Sequence, residues 1–197
     1  IITAVIFEKV IAIIRKKQTA RVDISSAALT GLLLALCLPS SIPVYLTIVG
    51  AGVAIFFSKA LFGGLGYNIF NPALIGRAFL TASWPVYMTT WLKPFDAITG
   101  ATPLALAKSH ALPSDFNIFS SLFIGIRGGC IGETSAIALL LGASFLLLRK
   151  VIDWRIPVSY LSTVALISAI FGQNPIFHLL AGGLLLGALF MATDPVT

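Results

Sequence analysis

Eight apolar segments follow one another along this chain, with little charge inside them and short polar breaks between. That layout fixes the solvent in which the chain can fold. After a partial segment at 1–14 they run at 24–38, 43–58, 78–92, 118–126 (a short one), 132–148, 156–172 and 175–192. A helix needs about 20 residues to cross a hydrocarbon layer ~30 Å thick. Most of these segments are a little shorter, so either flanking residues extend them or some are half-helices whose broken ends are buried in protein. Only 13 Lys or Arg and 7 Asp or Glu occur in 197 residues, and 58% of the chain is apolar. A soluble domain carries about 25% charged residues, and this chain has too little polar material to cover a water-facing surface. A cytosolic enzyme, a disordered tail and a disulfide scaffold are therefore excluded. The net charge of +6 comes without a basic run interleaved with aromatics, so it does not mark a nucleic-acid binder. The two cysteines, Cys37 and Cys130, lie far apart and offer neither a zinc site nor a self-contained iron–sulfur cluster. The expected fold is an all-α integral membrane protein: a polytopic helix bundle with broken or half helices, in one membrane domain. The chain opens on Ile1-Ile2-Thr3 within an apolar segment and stops just after another, so it is read as the middle of a longer protein.

The basic residues orient the segments. Arg15, Lys16, Lys17 and Arg21, then Lys59 and Arg77, then Arg149, Lys150 and Arg155 fall in breaks on one side; the breaks on the other side hold Lys93 and Lys108. Cytoplasmic loops are enriched in Lys and Arg, so the long loop 93–117 is expected outside the cytoplasm. Ser26-Ala27-Ala28-Leu29 and Ser135-Ala136-Ile137-Ala138 each open a segment. Gly66-Tyr67-Asn68-Ile69-Phe70 and Gly172-Gln173-Asn174-Pro175-Ile176-Phe177 each interrupt the chain some forty residues later. Two such copies in opposite orientation are the mark of an inverted repeat; chance similarity between small, apolar sequences is the alternative.

Two Gly-rich breaks have a chemical reading. Over Phe62–Ala73 the glycines, Asn68, Asn71 and Pro72 forbid a continuous helix. Asn71 then Pro72 reads as N-cap and first helical residue of the helix that carries Arg77. The free N–H groups of a helix start with an arginine nearby suit a phosphate or other anion, although an ordinary cytoplasmic turn with Arg77 as a positive-inside anchor explains the segment more simply. Over Gly125–Ser135, Arg127 and Glu133 would border an ion path or orient a cofactor, or else form a structural ion pair or sit at the interface with their charges in water; the last two are favoured, since both residues lie at a span end. His178 and Cys37 read as packing residues, and Gly183 and Gly187 as small-xxx-small helix contacts. Cys130 has only a remote reading as a ligand to a cluster shared with a partner chain.

The loop 93–117 contains Asp96-Ala97-Ile98-Thr99-Gly100-Ala101-Thr102-Pro103-Leu104. Thr102 reads as an N-cap and Pro103 as the first residue of a short helix reaching Lys108. Gly100 and Ala101 leave the Thr102 hydroxyl without a bulky neighbour, open to an enzyme that attaches a group to it.

Asp-x-x-Thr-Gly-Ala-Thr, Asp96 to Thr102, resembles the flavinylation motif of the RnfD/NqrB family, membrane subunits of the Rnf and sodium-pumping NADH:quinone oxidoreductase complexes. Gly31–Leu36 with Leu38-Pro39, Leu61–Gly66 with Asn71-Pro72-Ala73, Gly132–Ser135 and the closing Thr193–Thr197 are similar to RnfD in the same order. Short loops and the ending favour RnfD over NqrB. Ile69 departs from the Pro that many relatives carry after the Asn, and the family's first and last spans are absent. The resemblance implies FMN bound covalently through a phosphoester to Thr102, installed by a flavin transferase. Asp96, Thr99, Gly100 and Ala101 would shape the attachment site, Arg77 and Asn71 would be further candidate contacts, and a non-covalent flavin such as riboflavin is an open addition. No metal site is expected. The resemblance further implies an oxidoreductase subunit in a bacterial or archaeal inner membrane. It would relay electrons between NADH and ferredoxin chemistry and Na⁺ or H⁺ transport, and the isolated chain would be inactive. Its partners would be RnfG-like, RnfA-, RnfE- and RnfC-like subunits. The rival from another class is an inverted-repeat channel or transporter without a redox cofactor; a scaffold that no longer carries flavin is a third reading.

Overall fold

The computed structural model describes residues 1–14, 24–62, 67–92, 99–111, 117 and 119–194. Asp96, Lys93, the basic residues at 15–21 and the glycines at 63–66 lie outside the described residues. The described chain is helical, and an antiparallel bridge pairs Leu92 with Thr99. It divides into two compact units, Ile1–Thr89 and Thr90–Asp194.

The first unit holds α1 (Ile2–Ile14), α2 (Ile24–Leu36), α3 (Val44–Val53), α4 (Pro72–Ser83) and α5 (Pro85–Thr89), with α3 running on into a π-helical turn at Ala54–Ala60. Small residues set its packing. A Cβ added at Gly76 would lie 2.8 Å from the Gly50 carbonyl oxygen, and one at Gly50 would lie 2.5 Å from Leu80 Cδ1, so α3 and α4 touch through two facing glycines. Ala4, Ala27, Leu34, Leu46 and Leu80 fill the interior. Lys59, on the π-helical turn, is also buried there, its Nζ 3.3 Å from Glu8 Oε2 of α1.

The second unit holds α6 (Pro103–Lys108), a π-helical turn at Phe119–Ile124, α7 (Ala136–Leu148), α8 (Arg155–Ile170), α9 (Pro175–Leu180) and α10 (Leu184–Leu186), the last continuing as a π-helical turn through Met191. Ala136 and Ala143 of α7 pack on Leu185 and Leu189, with Phe123, Leu139, Leu161 and Phe190 around them. A second cluster joins Leu122, Phe177 and Ala181, and Ala107 of α6 sits against it. α8 stops at Gly172, whose φ of +67° puts it in the left-handed region. There the Gln173 and Gly172 N–H groups close back on the Ser168 and Ala169 carbonyls, the hydrogen-bond pattern of a glycine C-cap.

Each unit contains one Asn-Pro helix start, and the two are built alike. Asn71 Oδ1 accepts from the Ala73 and Leu74 N–H groups at 3.0 and 3.3 Å; Asn174 Oδ1 accepts from Ile176 and Phe177 at 3.0 and 3.4 Å. In both, proline occupies the first helical position, where its missing N–H costs nothing.

No helix among the described residues is long and apolar enough to cross a membrane by itself. The longest, α8, has 16 residues, roughly 24 Å at 1.5 Å per residue. The breaks have local causes. Segment 78–92 is divided at Trp84-Pro85, where proline ends α4 and starts α5, and segment 175–192 is divided around Gly182, at φ +68°. Apolar side chains nevertheless face outward: Leu148 is 83% and Ile170 80% exposed, with Leu141, Phe145, Leu166 and Phe171 also uncovered.

Candidate functional site

The site is built around Thr102. The backbone pairs Leu92 with Thr99, and the Gly100 N–H donates to the Trp91 carbonyl at 3.0 Å, so residues 91–92 and 99–100 form the two arms of a closed loop. Directly after the second arm, Thr102 takes an extended conformation (φ −68°, ψ 154°) and caps α6: its Oγ1 accepts from the Ala105 N–H at 3.3 Å, and its carbonyl accepts from Leu106 at 3.0 Å. Pro103 is buried at the first helical position while Thr102 stays half-exposed. Capping uses one lone pair of the hydroxyl and leaves its O–H free to donate or to be replaced. Thr99 and Ala101 are exposed and Gly100 half-buried. The structure therefore brings Thr99, Gly100, Ala101 and Thr102 together on one arm of the loop. Asp96 lies outside the described residues.

A second loop, Gly125–Ser135, lies against that arm. It is folded on itself: Gly125, at φ +107°, is so tight against Thr134 that an added Cβ would lie 2.8 Å from the Thr134 carbonyl oxygen. Arg127 forms its centre. The side chain is 5% exposed; Nε donates to the Thr134 carbonyl at 3.2 Å, and Nη2 donates to the carbonyls of Glu133 and, at 3.2 Å, Leu180. Nη1 is buried with no hydrogen-bond partner. Glu133, also buried, turns Oε1 to the Cys130 N–H at 2.9 Å. Burial pushes the Arg127 guanidinium below its ordinary pKa, and the nearby Glu133 carboxylate pushes it back up; a guanidinium that starts so high remains a cation.

Gly128 makes the joint between the loops. A Cβ there would lie 3.2 Å from Trp91 Cβ, 3.6 Å from the Gly100 carbonyl oxygen and 3.7 Å from that of Leu92. On the other flank of Thr102, Gly182 is so close to Leu104 that an added Cβ would lie 2.8 Å from its Cδ1. The Thr102 turn is thus held at Gly100 by the Arg127 loop and at Leu104 by the break between α9 and α10.

The whole chain, residues 1–197, matches the model of the NQR2, RnfD, RnfE family. The chain belongs to that family. It is 46% identical over 215 residues to the RnfD-type subunit of a proton-translocating ferredoxin:NAD(+) oxidoreductase complex from Clostridium ljungdahlii, an overlap covering 100% of this chain and 65% of that protein. It is 46% identical over 208 residues to the corresponding subunit of a Na(+)-translocating ferredoxin:NAD(+) oxidoreductase complex from Acetobacterium woodii, covering 100% of this chain and 64% of that one. A third relative, from an ion-translocating oxidoreductase complex of Stutzerimonas stutzeri, is 38% identical over 212 residues, covering 87% of this chain and 60% of its own length. The chain therefore spans about 65% of the length of the first two of these relatives.

The other candidates sit in the first unit. Asn71 spends its amide oxygen on capping α4, where the Ala73 and Leu74 N–H groups already have that acceptor and Ile75 bonds to the Asn71 carbonyl. The backbone donors an anion would use at this helix start are taken. Arg77 lies one turn further along α4, half-buried. In the second unit, Arg127 binds the backbone carbonyl of Glu133 and both side chains are buried, where sequence reasoning favoured a structural ion pair or charges in interfacial water. His178 packs its ring edge-on against Phe177, centroids 5.4 Å apart. Both cysteines are buried and not bonded to each other, and no cluster of metal-ligating side chains occurs among the described residues. Sequence reasoning missed the clamp made by Arg127 and the two glycine joints. The run Arg127-Gly128-Gly129 was its one available signal, long side chain and bare backbone side by side.

Proposed function

We propose that this chain is the RnfD-type subunit of a membrane-bound, ion-translocating ferredoxin:NAD⁺ oxidoreductase complex, and that Thr102 carries FMN through a phosphoester. The observation that carries the reading is the Thr102 hydroxyl: last residue of the Asp96–Thr102 motif, half-exposed, and fixed by its cap and by two flanking glycine joints. FMN, when bound, supplies one- and two-electron redox chemistry, which is the cofactor's own. The chain's residues supply placement. Thr102 would give its oxygen to the phosphoester in place of the hydroxyl proton, Gly100 and Ala101 would leave the approach to that oxygen open, and the 91–92/99–100 bridge would keep the anchor from swinging. A buried cation with an unused donor, on the loop whose Gly128 abuts Gly100, suits a phosphate-bearing group.

Membrane residence is supported by the mean hydropathy of +1.01 and by the outward-facing leucines, isoleucines and phenylalanines of α7 and α8, which would cost free energy in water and none in lipid. Helices shorter than a bilayer fit if they end against protein, as discontinuous transmembrane helices do. The concentration of Lys and Arg in the other loops supports an extracytoplasmic flavin loop. The paired Asn-Pro starts support an inverted repeat. Two of the relatives named above belong to a proton-translocating and a Na⁺-translocating complex, so either ion suits this chain. Partner subunits of RnfG, RnfA, RnfE and RnfC type and a flavin transferase complete the reading.

The test uses the assembled complex from a host with the transferase. Thr102→Ala removes the hydroxyl and the cap together, whereas Thr102→Asn keeps a good cap and removes only the attachable oxygen. Loss of covalent flavin fluorescence in both variants, with the complex intact in Thr102→Asn, supports the assignment. Fluorescence retained in Thr102→Asn overturns it and favours attachment elsewhere.

A further inference from the structure

We propose that Arg127 is the counter-cation of the phosphodiester on Thr102, with Nη1 as the donor to a phosphate oxygen. This rests on the flavin reading above and assigns the anchor a partner within the chain.

The argument begins with an imbalance. A guanidinium has five N–H donors and no acceptor. Three of Arg127's hydrogen bonds go to the carbonyls of Glu133, Thr134 and Leu180, all neutral acceptors, and Nη1 is left buried with none. Leaving a buried donor unpaired is unfavourable, the more so for a charged group. Glu133, the acidic side chain facing it, directs Oε1 to the Cys130 amide. The guanidinium is therefore held in place on one edge and unsatisfied on another.

Its location follows from two contacts. The next residue, Gly128, abuts the Gly100 carbonyl, and Leu180, whose carbonyl Arg127 holds, lies two residues before Gly182, which abuts Leu104. Thr102 lies midway between Gly100 and Leu104. One rigid arginine thus ties together the two elements that flank the attachment residue. A planar fork clamped by backbone carbonyls is pre-organised and binds a phosphate oxygen with little further loss of side-chain freedom. Esterification at Thr102 creates a phosphodiester, which carries a single negative charge and suits that one remaining donor group.

A lipid phosphodiester has the same chemistry, and the experiment separates the two. The complex is purified with its lipids in a phosphorus-free detergent, labelled with ¹⁵N-arginine, and examined by ³¹P–¹⁵N dipolar recoupling. We expect dephasing of one phosphodiester resonance by a guanidinium nitrogen, lost in Arg127→Lys, which keeps the charge and cannot span the carbonyls and a phosphate together. It should be lost equally in Thr102→Asn, which keeps the lipids and removes the ester. Dephasing that survives in Thr102→Asn assigns Arg127 to lipid and overturns the proposal, as does dephasing unchanged in Arg127→Lys or absent altogether from a flavin-bearing complex. Covalent flavin missing from the unsubstituted chain overturns the functional reading first, and this inference with it.

A thermal-stability cycle gives an independent readout. Arg127→Gln should lower the melting temperature more in the Thr102 background than in Thr102→Asn, because only the former loses a phosphate contact. Equal shifts would mean that Arg127 serves the loop fold alone, and would contradict the proposal.

Discussion

Gly128 and Gly100 meet backbone to backbone: a single carbon added at Gly128 would stand 3.6 Å from the Gly100 carbonyl oxygen and 3.2 Å from Trp91 Cβ. This contact is where the Arg127 loop meets the arm that carries Thr102. Gly128→Val would place two further carbons into it, with the bridged backbone as the obstacle, so overpacking of about 1–3 kcal/mol is expected. The strain should show twice, as a lower melting temperature of the complex and as a several-fold drop in covalent flavin fluorescence. Gly128→Val with unaltered flavinylation would show that the two loops do not depend on each other.

Gly76 makes the comparable contact inside the first unit, 2.8 Å from an added Cβ to the Gly50 carbonyl oxygen. The obstacle is backbone and cannot rotate away. Gly76→Ala should push α4 from α3 and destabilise by about 1–3 kcal/mol, read as a shifted denaturation midpoint in detergent. Flavin attachment, a property of the other unit's loop, should persist in the molecules that remain folded.

The Asn71 and Asn174 caps are local and similar, so their loss should be similar. Each Asn→Ala exchange is expected to cost about 0.5–2 kcal/mol, and Asn→Asp to cost little because Asp caps as well. Denaturant titration of the four variants checks this; equal stability of the Ala and Asp forms would count against the cap geometry.

Those caps also show what the sequence makes legible. Asn71-Pro72 and Thr102-Pro103 are local instructions, because an N-cap needs only its own side chain and the next three amides. The helical class follows from the apolar segments for the same reason. The π-helical turns and the Arg127 clamp are not local. The clamp's acceptors are the carbonyls of Glu133, Thr134 and Leu180, and every residue type offers a carbonyl. The facing of Gly50 on Gly76 is likewise a tertiary fact, indistinguishable in sequence from any other pair of helical glycines.

Lys59 and Glu8 give a prediction outside the flavin site. Lys59 is 2% exposed and pairs with a carboxylate that is 19% exposed. Removing only the acid, by Glu8→Gln, strands the cation and should cost about 3–5 kcal/mol, whereas the double exchange Lys59→Met with Glu8→Leu should recover most of that loss. A double-mutant cycle of Glu8→Leu, Lys59→Met and the two together, read on the denaturation midpoint, checks the pair. Additive single effects would mean that the two groups do not stabilise each other.

The central claim is the covalent group on one hydroxyl, and mass spectrometry tests it most directly. The peptide containing Thr102, taken from a complex assembled in a host with the flavin transferase, is predicted to carry one FMN joined through phosphorus, with fragmentation placing it on Thr102. An unmodified peptide, or an FMN mapped to Thr99 instead, would contradict the account.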